Sequence, residues 1–214
     1  MTSARPADPA PARPTRKVSR AQPRGDRTRD AIIQETVCCI NEEGFAAASA
    51  NHIAERAGVT WGVIQYHFGD RNGLLSAVIA DSFQRLRRGI ESLAVPDGPP
   101  RQRVEVVVDA AWAVFSGPES RASFEILISA RAGRDQVRVN ELEAMARDLR
   151  SLSGLLFGNR VDLCGEEAVI GEVLWATLRG LVMAQMLTSR TIDSTRERSL
   201  LVDLITGVLD GHAV

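Results

Sequence analysis

A segment near the N-terminus, Ser49 to Arg71 (SANHIAERAGVTWGVIQYHFGDR), constrains the fold more than any other part of the sequence. Ser49, Thr60 and Asp70 are of the types that cap helices, because a side-chain oxygen accepts a hydrogen bond from a free first-turn amide. Gly58 and Gly69 stand where a helix commonly ends in a residue with positive φ. Two short helices joined by about four residues around a glycine indicate a helix-turn-helix. The same pattern also fits two short helices of an ordinary bundle.

The rest of the chain favours helices throughout. Apolar residues recur at spacings of three and four, and no segment shows the alternation typical of strands, so we expect an all-α fold. The predicted helices cover about residues 28–43, 49–57, 60–68, 70–93, 101–115, 119–132, 135–157, 166–188 and 192–210. We divide the chain into a disordered basic arm (1–24), a helix-turn-helix domain (25–72) and a larger helical domain (73–214).

The arm has five prolines and too few large apolar side chains to form a core, which predicts disorder. Residues 1–29 hold eight basic and two acidic residues, whereas the remainder holds 18 basic and 25 acidic. A basic arm on an acidic body suggests a polyanionic partner. The arm is either a solvated tail or a segment that contacts phosphates or the minor groove of DNA.

Composition excludes several other classes of protein. A hydrophobic content of 44% and a charged content of 25% are typical of a soluble globular protein. We find neither a run of about 18 apolar residues nor a secretory signal, so we expect a cytoplasmic protein with no membrane partner. The three cysteines, Cys38, Cys39 and Cys164, form no disulfide framework, and the three histidines are scattered, so we predict no metal site. No nucleophile–base spacing or phosphate-binding loop is present, so we expect neither an enzyme nor a cofactor.

The residue choices in and around the helix-turn-helix are more specific than its pattern. The sequence IAERAGVTWGVIQYHF, preceded by EEGF and followed by DRNGLL, resembles the DNA-binding domain of the TetR family of transcriptional regulators. The resemblance runs from about Thr28 to Leu75. It implies a second, all-helical domain that binds a small-molecule effector and dimerises. A protein of this kind binds a palindromic DNA operator as a homodimer and is most often a repressor.

The resemblance also implies which residues contact DNA. Six positions of the recognition helix would contact bases or backbone: Thr60, Trp61, Gly62, Val63, Gln65 and Tyr66. His67 and Arg71 would contact phosphates, while Thr28 and Ser49 can offer hydroxyls and backbone amides at the starts of their helices. Gln65 can pair with adenine through two hydrogen bonds, whereas family members commonly carry tyrosine there. Trp61 is bulkier than the usual residue, and either Trp61 or Tyr66 could instead pack on a neighbouring helix.

The larger domain carries two further predictions. Wide apolar stripes on the last two helices need cover on two sides, either from the chain's own core or from a partner subunit as well. The resemblance implies homodimerisation through these two helices, and the predicted interface residues are Leu174, Leu178, Leu181, Met186, Leu201, Leu204 and Val208. The candidate effector-binding residues are Trp112, Phe115, Phe124, Ile128, Met145, Leu149, Trp175 and Met183, although apolar residues at helical spacing are usually plain core. Their character suggests an apolar or amphipathic effector, and Arg121, Arg131 and Arg179 could meet an anionic one.

A second function stays open beside the regulator. Residues 26–71 hold seven acidic and four basic side chains, a net charge of −3. A helical protein-interaction module whose helix-turn-helix no longer binds DNA would fit that charge. DNA binding that weakens steeply with salt separates the two.

Overall fold

The computed structural model describes residues 23–132, 166–188 and 192–211. These residues form helices, and no strand occurs among them, which confirms the predicted all-α fold. The helices are α1 (Pro23–Glu43), α2 (Ala50–Arg56), α3 (Trp61–Phe68), α4 (Arg71–Glu91), α5 (Pro100–Phe115), α6 (Pro118–Ala132), α7 (Glu166–Met186) and α8 (Thr195–Gly211). The helix predicted over 135–157 and the arm up to residue 22 lie outside the described residues.

The first helix begins earlier than the sequence predicted. Its first residue is Pro23 rather than Thr28. Proline suits the first position of a helix, because its fixed φ is already helical and its missing N–H would have no intrahelical partner there. The last two residues of the predicted arm, Pro23 and Arg24, therefore belong to α1.

The ends of the helix-turn-helix follow the predicted capping. The Ser49 hydroxyl oxygen accepts from the amide of His52 at 3.3 Å, and Asp70 Oδ1 accepts from the amide of Gly73 at 2.8 Å. Gly58 and Gly69 have φ of +64° and +80°, a region that L side chains rarely adopt. Thr60 occupies the cap position of α3 in an extended conformation but makes no capping bond with its side chain.

Two apolar cores hold the molecule together, and α4 and α6 contribute to both. The first core joins α1, α2 and α3 to the first turns of α4 and to one face of α6 (Ala122, Ile126 and Leu127). The second joins the far half of α4 to α5, α7 and α8, and it includes Phe124 of α6. The helix-turn-helix is thus packed on the larger domain through α4 and α6.

Helix α7 lies inside the second domain. By length and composition its window Val169–Met186 could cross a membrane, which the sequence analysis did not anticipate, and a third of that window is buried. The helix packs against α5, α6 and α8, with Leu174, Leu178 and Val182 fully enclosed. This packing is that of a core helix with one open side.

Candidate nucleic-acid interface

Helix α3 presents one polar and aromatic face to solvent. Ile64 is fully buried and anchors the helix, and Val63 and Phe68 pack against the same core. The exposed side carries Thr60, Trp61, Gly62, Gln65 and Tyr66. Five of the six residues predicted for the recognition helix therefore share one accessible surface, and Val63 is the half-buried exception.

The two aromatic residues on this surface are not core residues. Tyr66 is 85% exposed and Trp61 is 36% exposed. Tyr66 meets only the edge of His67 among the ring contacts described, with ring centroids 5.0 Å apart. The structure thus favours the surface position over packing on α1 or α4, most clearly for Tyr66.

His67 sits at the boundary between this surface and the core. Its ring is half-buried between those of Tyr66 and Phe68, and the His67 and Phe68 centroids are 6.0 Å apart. The Arg29 guanidinium of α1 lies over the Phe68 ring, 5.3 Å from its centroid. The contact of the Arg29 guanidinium with the Phe68 ring fixes the carboxyl end of α3 against the first half of α1.

Arg71 makes contacts within the protein that the sequence did not predict. Its Nε donates to the carbonyl of Ala48 at 2.6 Å, and one terminal nitrogen donates to the carbonyl of Phe45 at 3.4 Å. The guanidinium also lies over the Phe45 ring, 4.8 Å from the centroid. Arg71 therefore ties the start of α4 to the turn between α1 and α2, and a phosphate contact by its other donors stays a prediction.

The position of Thr28 requires a correction as well. Only the first four amides of a helix lack an intrahelical acceptor, and α1 begins five residues before Thr28. Its backbone amide is therefore not available to phosphate, and only the hydroxyl contact remains predicted. Ser49, in contrast, is exposed at the cap of α2, and its hydroxyl accepts one bond and can still donate another.

An ionic network between α1 and α2 was not anticipated from the sequence. The Arg56 guanidinium donates to Glu35 at 2.6 Å, to Glu42 at 2.7 Å and to Glu43. His52 Nε2 lies 2.9 Å from the second oxygen of Glu43. The hydrogen bonds from Arg56 hold the pKa of Glu43 below its usual range, and the three carboxylates raise the pKa of Arg56. The spacing of Glu35, Glu42 and Glu43, seven and eight residues apart along one helix face, is the signal that could have revealed this network.

Two hydrogen bonds link the helix-turn-helix to α6. The amide of Phe45 donates to Glu125 Oε1 at 2.7 Å, and Asn41 Nδ2 donates to the carbonyl of Pro118 at 3.0 Å. Phe45 is thus linked to α4, because its carbonyl accepts from Arg71, and to α6, because its amide donates to Glu125. A displacement of either helix would reach the turn that precedes α2.

The predicted dimer residues divide into two groups. Leu174 and Leu178 are fully buried within the chain's own core, which corrects their assignment as interface residues. Leu201 is also buried but lines the groove between α7 and α8, so its place in an interface stays a prediction, and Leu181 and Met186 are half-buried. Leu204 is 61% exposed, and Val208 is also exposed. Further exposed apolar residues were not assigned to the interface by the sequence analysis: Val169, Val173, Met183, Leu187 and Leu200.

These exposed residues form a continuous face. On α7 the exposed positions 169, 173, 176, 180, 183 and 187 recur at spacings of four and three, so they lie along one stripe. Between α7 and α8 an apolar groove of about 360 Å³ is lined by Val169, Val173, Leu204 and Val208, among others. We call this stripe and groove the α7–α8 face.

The predicted effector-binding residues are also dispersed. Phe115, Phe124 and Trp175 are buried and pack on one another, with centroids 6.2 Å apart for the two phenylalanines and 5.9 Å for Phe115 and Trp175. Trp112 is half-buried beneath the Arg198 guanidinium, 5.0 Å from the ring centroid. Ile128 and Met183 are exposed, and Met145 and Leu149 lie outside the described residues. Their role as a pocket lining stays a prediction.

Comparisons with known proteins agree with this arrangement. Residues 32–78 match the family model described as "Bacterial regulatory proteins, tetR family". The chain is 31% identical over 177 residues to the HTH-type transcriptional regulator BetI of Klebsiella pneumoniae (strain 342), covering 80% of this chain and 89% of the relative. Among solved structures, a transcriptional regulator from Rhodococcus sp. Rha1 superposes with a TM-score of 0.67 at 18% identity, covering 87% of this chain and 98% of the other. NalD, the secondary repressor of the MexAB-OprM multidrug efflux pump in Pseudomonas aeruginosa, superposes with a TM-score of 0.60 at 21% identity, covering 88% and 98%. These two structures share the fold.

Proposed function

This chain belongs to the TetR family of bacterial transcriptional regulators, and we propose that it is a repressor that binds a palindromic operator as a homodimer. The relatives that it matches are named as HTH-type transcriptional regulators. The proposal goes further, to the surface that reads DNA, the face that forms the dimer and the route by which an effector releases the operator. Since its target is the bacterial chromosome, we place the protein in the cytoplasm.

The exposed face of α3 carries the proposal of DNA reading. A recognition helix needs a buried side that fixes it and an accessible side that reaches base edges. In α3, Ile64 lies on the buried side and Gln65 lies on the accessible side. In the major groove, the Gln65 amide can pair with adenine N6 and N7. Tyr66 and Trp61 can contact thymine methyl groups or lie along the sugar–phosphate wall, and Gly62 lets the backbone approach closely.

The α7–α8 face supports a homodimer. Exposed apolar residues that cluster on one face mark an interaction site in a soluble protein. Pairing α7 and α8 with the same helices of a second copy would form a four-helix bundle and cover Val173, Leu204 and Val208. A two-fold dimer presents two copies of α3, so its operator is a palindrome with half-sites about one helical turn apart.

Effector control follows from the shared packing of α4 and α6. An effector that binds one arrangement of the second domain more tightly shifts the population toward it by its differential affinity. The residues proposed to line the effector pocket surround Trp112, Phe124 and Trp175. Helices α4 and α6 contribute to this core and also contact the turn at Phe45. A change in the separation of the two recognition helices would then release the operator.

The arginines near this region favour an effector with an acidic group. Arg121 Nε is buried and finds no hydrogen-bond partner among the described residues, although its terminal nitrogen donates to Gln185 at 3.1 Å. Burial lowers the pKa of Arg179, so that guanidinium would gain from a negative partner. We therefore propose an amphipathic effector with a carboxylate or a similar anion.

A second candidate function, a protein-interaction module, is favoured by the charge of residues 26–71. Its weight is reduced because three of the seven acidic side chains belong to α1 and are bound to Arg56, so they do not lie on the exposed face of α3. Such a module would show no preference among DNA sequences.

Selection of binding sites from a random duplex library tests the proposed function. Repeated rounds should enrich a palindrome whose half-sites contain adenine at the position read by Gln65. A variant with Gln65 and Tyr66 both changed to alanine serves as the control and should enrich no common sequence. A wild-type protein that enriches nothing supports the interaction module instead.

A further inference from the structure

Three metal-ligating side chains meet between α1 and α2, beside the ionic network. Cys39 and Glu43 are four residues apart on α1 and therefore share one helix face. His52 comes from the first turn of α2. The sulfur, carboxylate and imidazole atoms of the three residues all lie within 4.8 Å of one another. Ligand atoms that one cation bonds at about 2.0–2.3 Å lie less than about 4.4 Å apart, so only a small side-chain movement is needed to bring all three onto one ion.

The surroundings orient these ligands. One oxygen of Glu43 is bound to Arg56, which leaves the other oxygen facing His52 Nε2 at 2.9 Å. A side chain such as Arg56, which is hydrogen-bonded to a ligating carboxylate but does not touch the metal, fixes the orientation of that carboxylate and is a regular part of metal sites. Glu35, Glu42 and Glu43 together outweigh the charge of Arg56, so the local net charge is negative and attracts a cation.

The site is also reachable from solvent. Cys39 is fully buried, but the side chains of Glu43 and His52 are 37% and 36% exposed, so an ion would enter from their side. Cys38 offers a contrast on the same helix, because it is exposed and lies outside this cluster.

We propose that Cys39, Glu43 and His52 bind a divalent cation of the Zn²⁺ class, with water at a fourth position. A sulfur, nitrogen and oxygen set suits Zn²⁺ or Co²⁺, whereas Mg²⁺ and Ca²⁺ prefer oxygen ligands alone. Burial, and then the charge of Glu43, raises the pKa of the Cys39 thiol, so the metal-free protein holds the proton. On binding, the S–H bond breaks, the proton passes to solvent, and the sulfur–metal bond forms.

Metal binding would brace the helix-turn-helix. The ion would join α1 directly to the first turn of α2, whose His52 amide is capped by Ser49, a predicted phosphate contact. The metal site itself does not depend on the proposed function. An effect of the metal on operator binding would depend on it.

Equilibrium dialysis of tag-free, reduced protein against Zn²⁺ tests the proposal. Wild type and the control Cys38→Ser should each bind one equivalent of Zn²⁺ per chain. Cys39→Ala and His52→Ala should each lower the affinity for Zn²⁺ by more than the roughly 10- to 100-fold that follows the loss of a residue that only supports a ligand. His52 is partly exposed, so its removal spares the core, and circular dichroism checks that both variants are folded. Mg²⁺ at the same concentration should not bind.

Co²⁺ supplies a second readout, because thiolate ligation gives an intense charge-transfer absorption in the near ultraviolet. That band should appear for wild type and Cys38→Ser and be absent for Cys39→Ala. Absence of a stoichiometric site in wild type, or equal binding by wild type and both ligand variants, would overturn the proposal. Metal binding by a protein that ignores DNA would leave the site intact and refute the proposed function alone.

Discussion

At the scale of single residues, the surface of α3 depends on which of its side chains are buried and which are exposed. Ile64 is buried and anchors the helix, whereas Gln65 and Tyr66 are exposed beside it. The partners of Arg71 could not be predicted, because they are the backbone carbonyls of Ala48 and Phe45, 23 and 26 residues away in the sequence. A carbonyl carries no sequence signature, so only the fold reveals such contacts.

Gln65→Ala should relax sequence preference at one base pair of each half-site. The change removes a two-bond contact worth about 1–3 kcal/mol against the wrong base. Binding should be measured for operators with each base at that position. Gln84→Ala, on the exposed side of α4, is the matched control and should leave every affinity unchanged. An equal loss on all four operators would contradict base reading by Gln65.

Arg71→Ala should weaken binding to all DNA sequences alike and also lower the free energy of unfolding, by about 1–3 kcal/mol, because the Ala48 carbonyl loses its partner. Arg71→Lys separates the two roles, since lysine keeps the charge but not the planar fork. We expect denaturant unfolding to show that lysine does not restore stability. Full recovery of stability in Arg71→Lys would show that the charge alone matters at this position.

At the scale of helices, the sequence predicted which segments are helical more securely than the residues at which each helix begins and ends. The eight described helices match predicted segments because apolar spacing, caps and glycines agree with one another. The start of α1 was misplaced because proline was taken as part of the arm, although it is also favoured at a helix start. That α6 divides its faces between the two cores depends on tertiary packing, and its sequence shows only one amphipathic helix.

Glu125→Ala should loosen the turn before α2, since the Phe45 amide loses its 2.7 Å acceptor. Hydrogen exchange at that amide should accelerate, and Glu125→Gln, which keeps an acceptor oxygen, should restore most of the protection. Glu197→Ala on the exposed part of α8 is the control and should not change it. Unchanged exchange in Glu125→Ala would mean that α6 does not hold the turn through this bond.

At the scale of the whole molecule, the sequence predicted wide apolar stripes on the last two helices but not which part of each faces outward. Leu174 and Leu178 were assigned to an interface, yet α5 and α6 cover them. Val169 and Val173 are left open instead. Which part of a wide apolar stripe faces the core depends on how the helix packs against its neighbours. The sequence of that helix alone does not determine this packing.

Leu204→Arg should convert the dimer to a monomer, because it places a charge in the centre of the α7–α8 face. Sedimentation should show half the wild-type mass with unchanged helical content. Leu209→Ala, which is buried on the same helix and does not line the groove, is the contrasting variant and should lower the free energy of unfolding by about 2–5 kcal/mol without a specific effect on assembly. A Leu204→Arg protein that remains dimeric would place the interface elsewhere.

The most direct test of the regulator account is binding of the purified protein to DNA from upstream of its own gene, followed by fluorescence anisotropy at several salt concentrations. Scrambled DNA of the same composition is the control. We predict tight binding to a palindromic segment over the control, with a logarithmic salt slope of about −5 or steeper if six or more phosphates are neutralised. Equal, weak binding to both DNAs with a shallow slope would contradict the account.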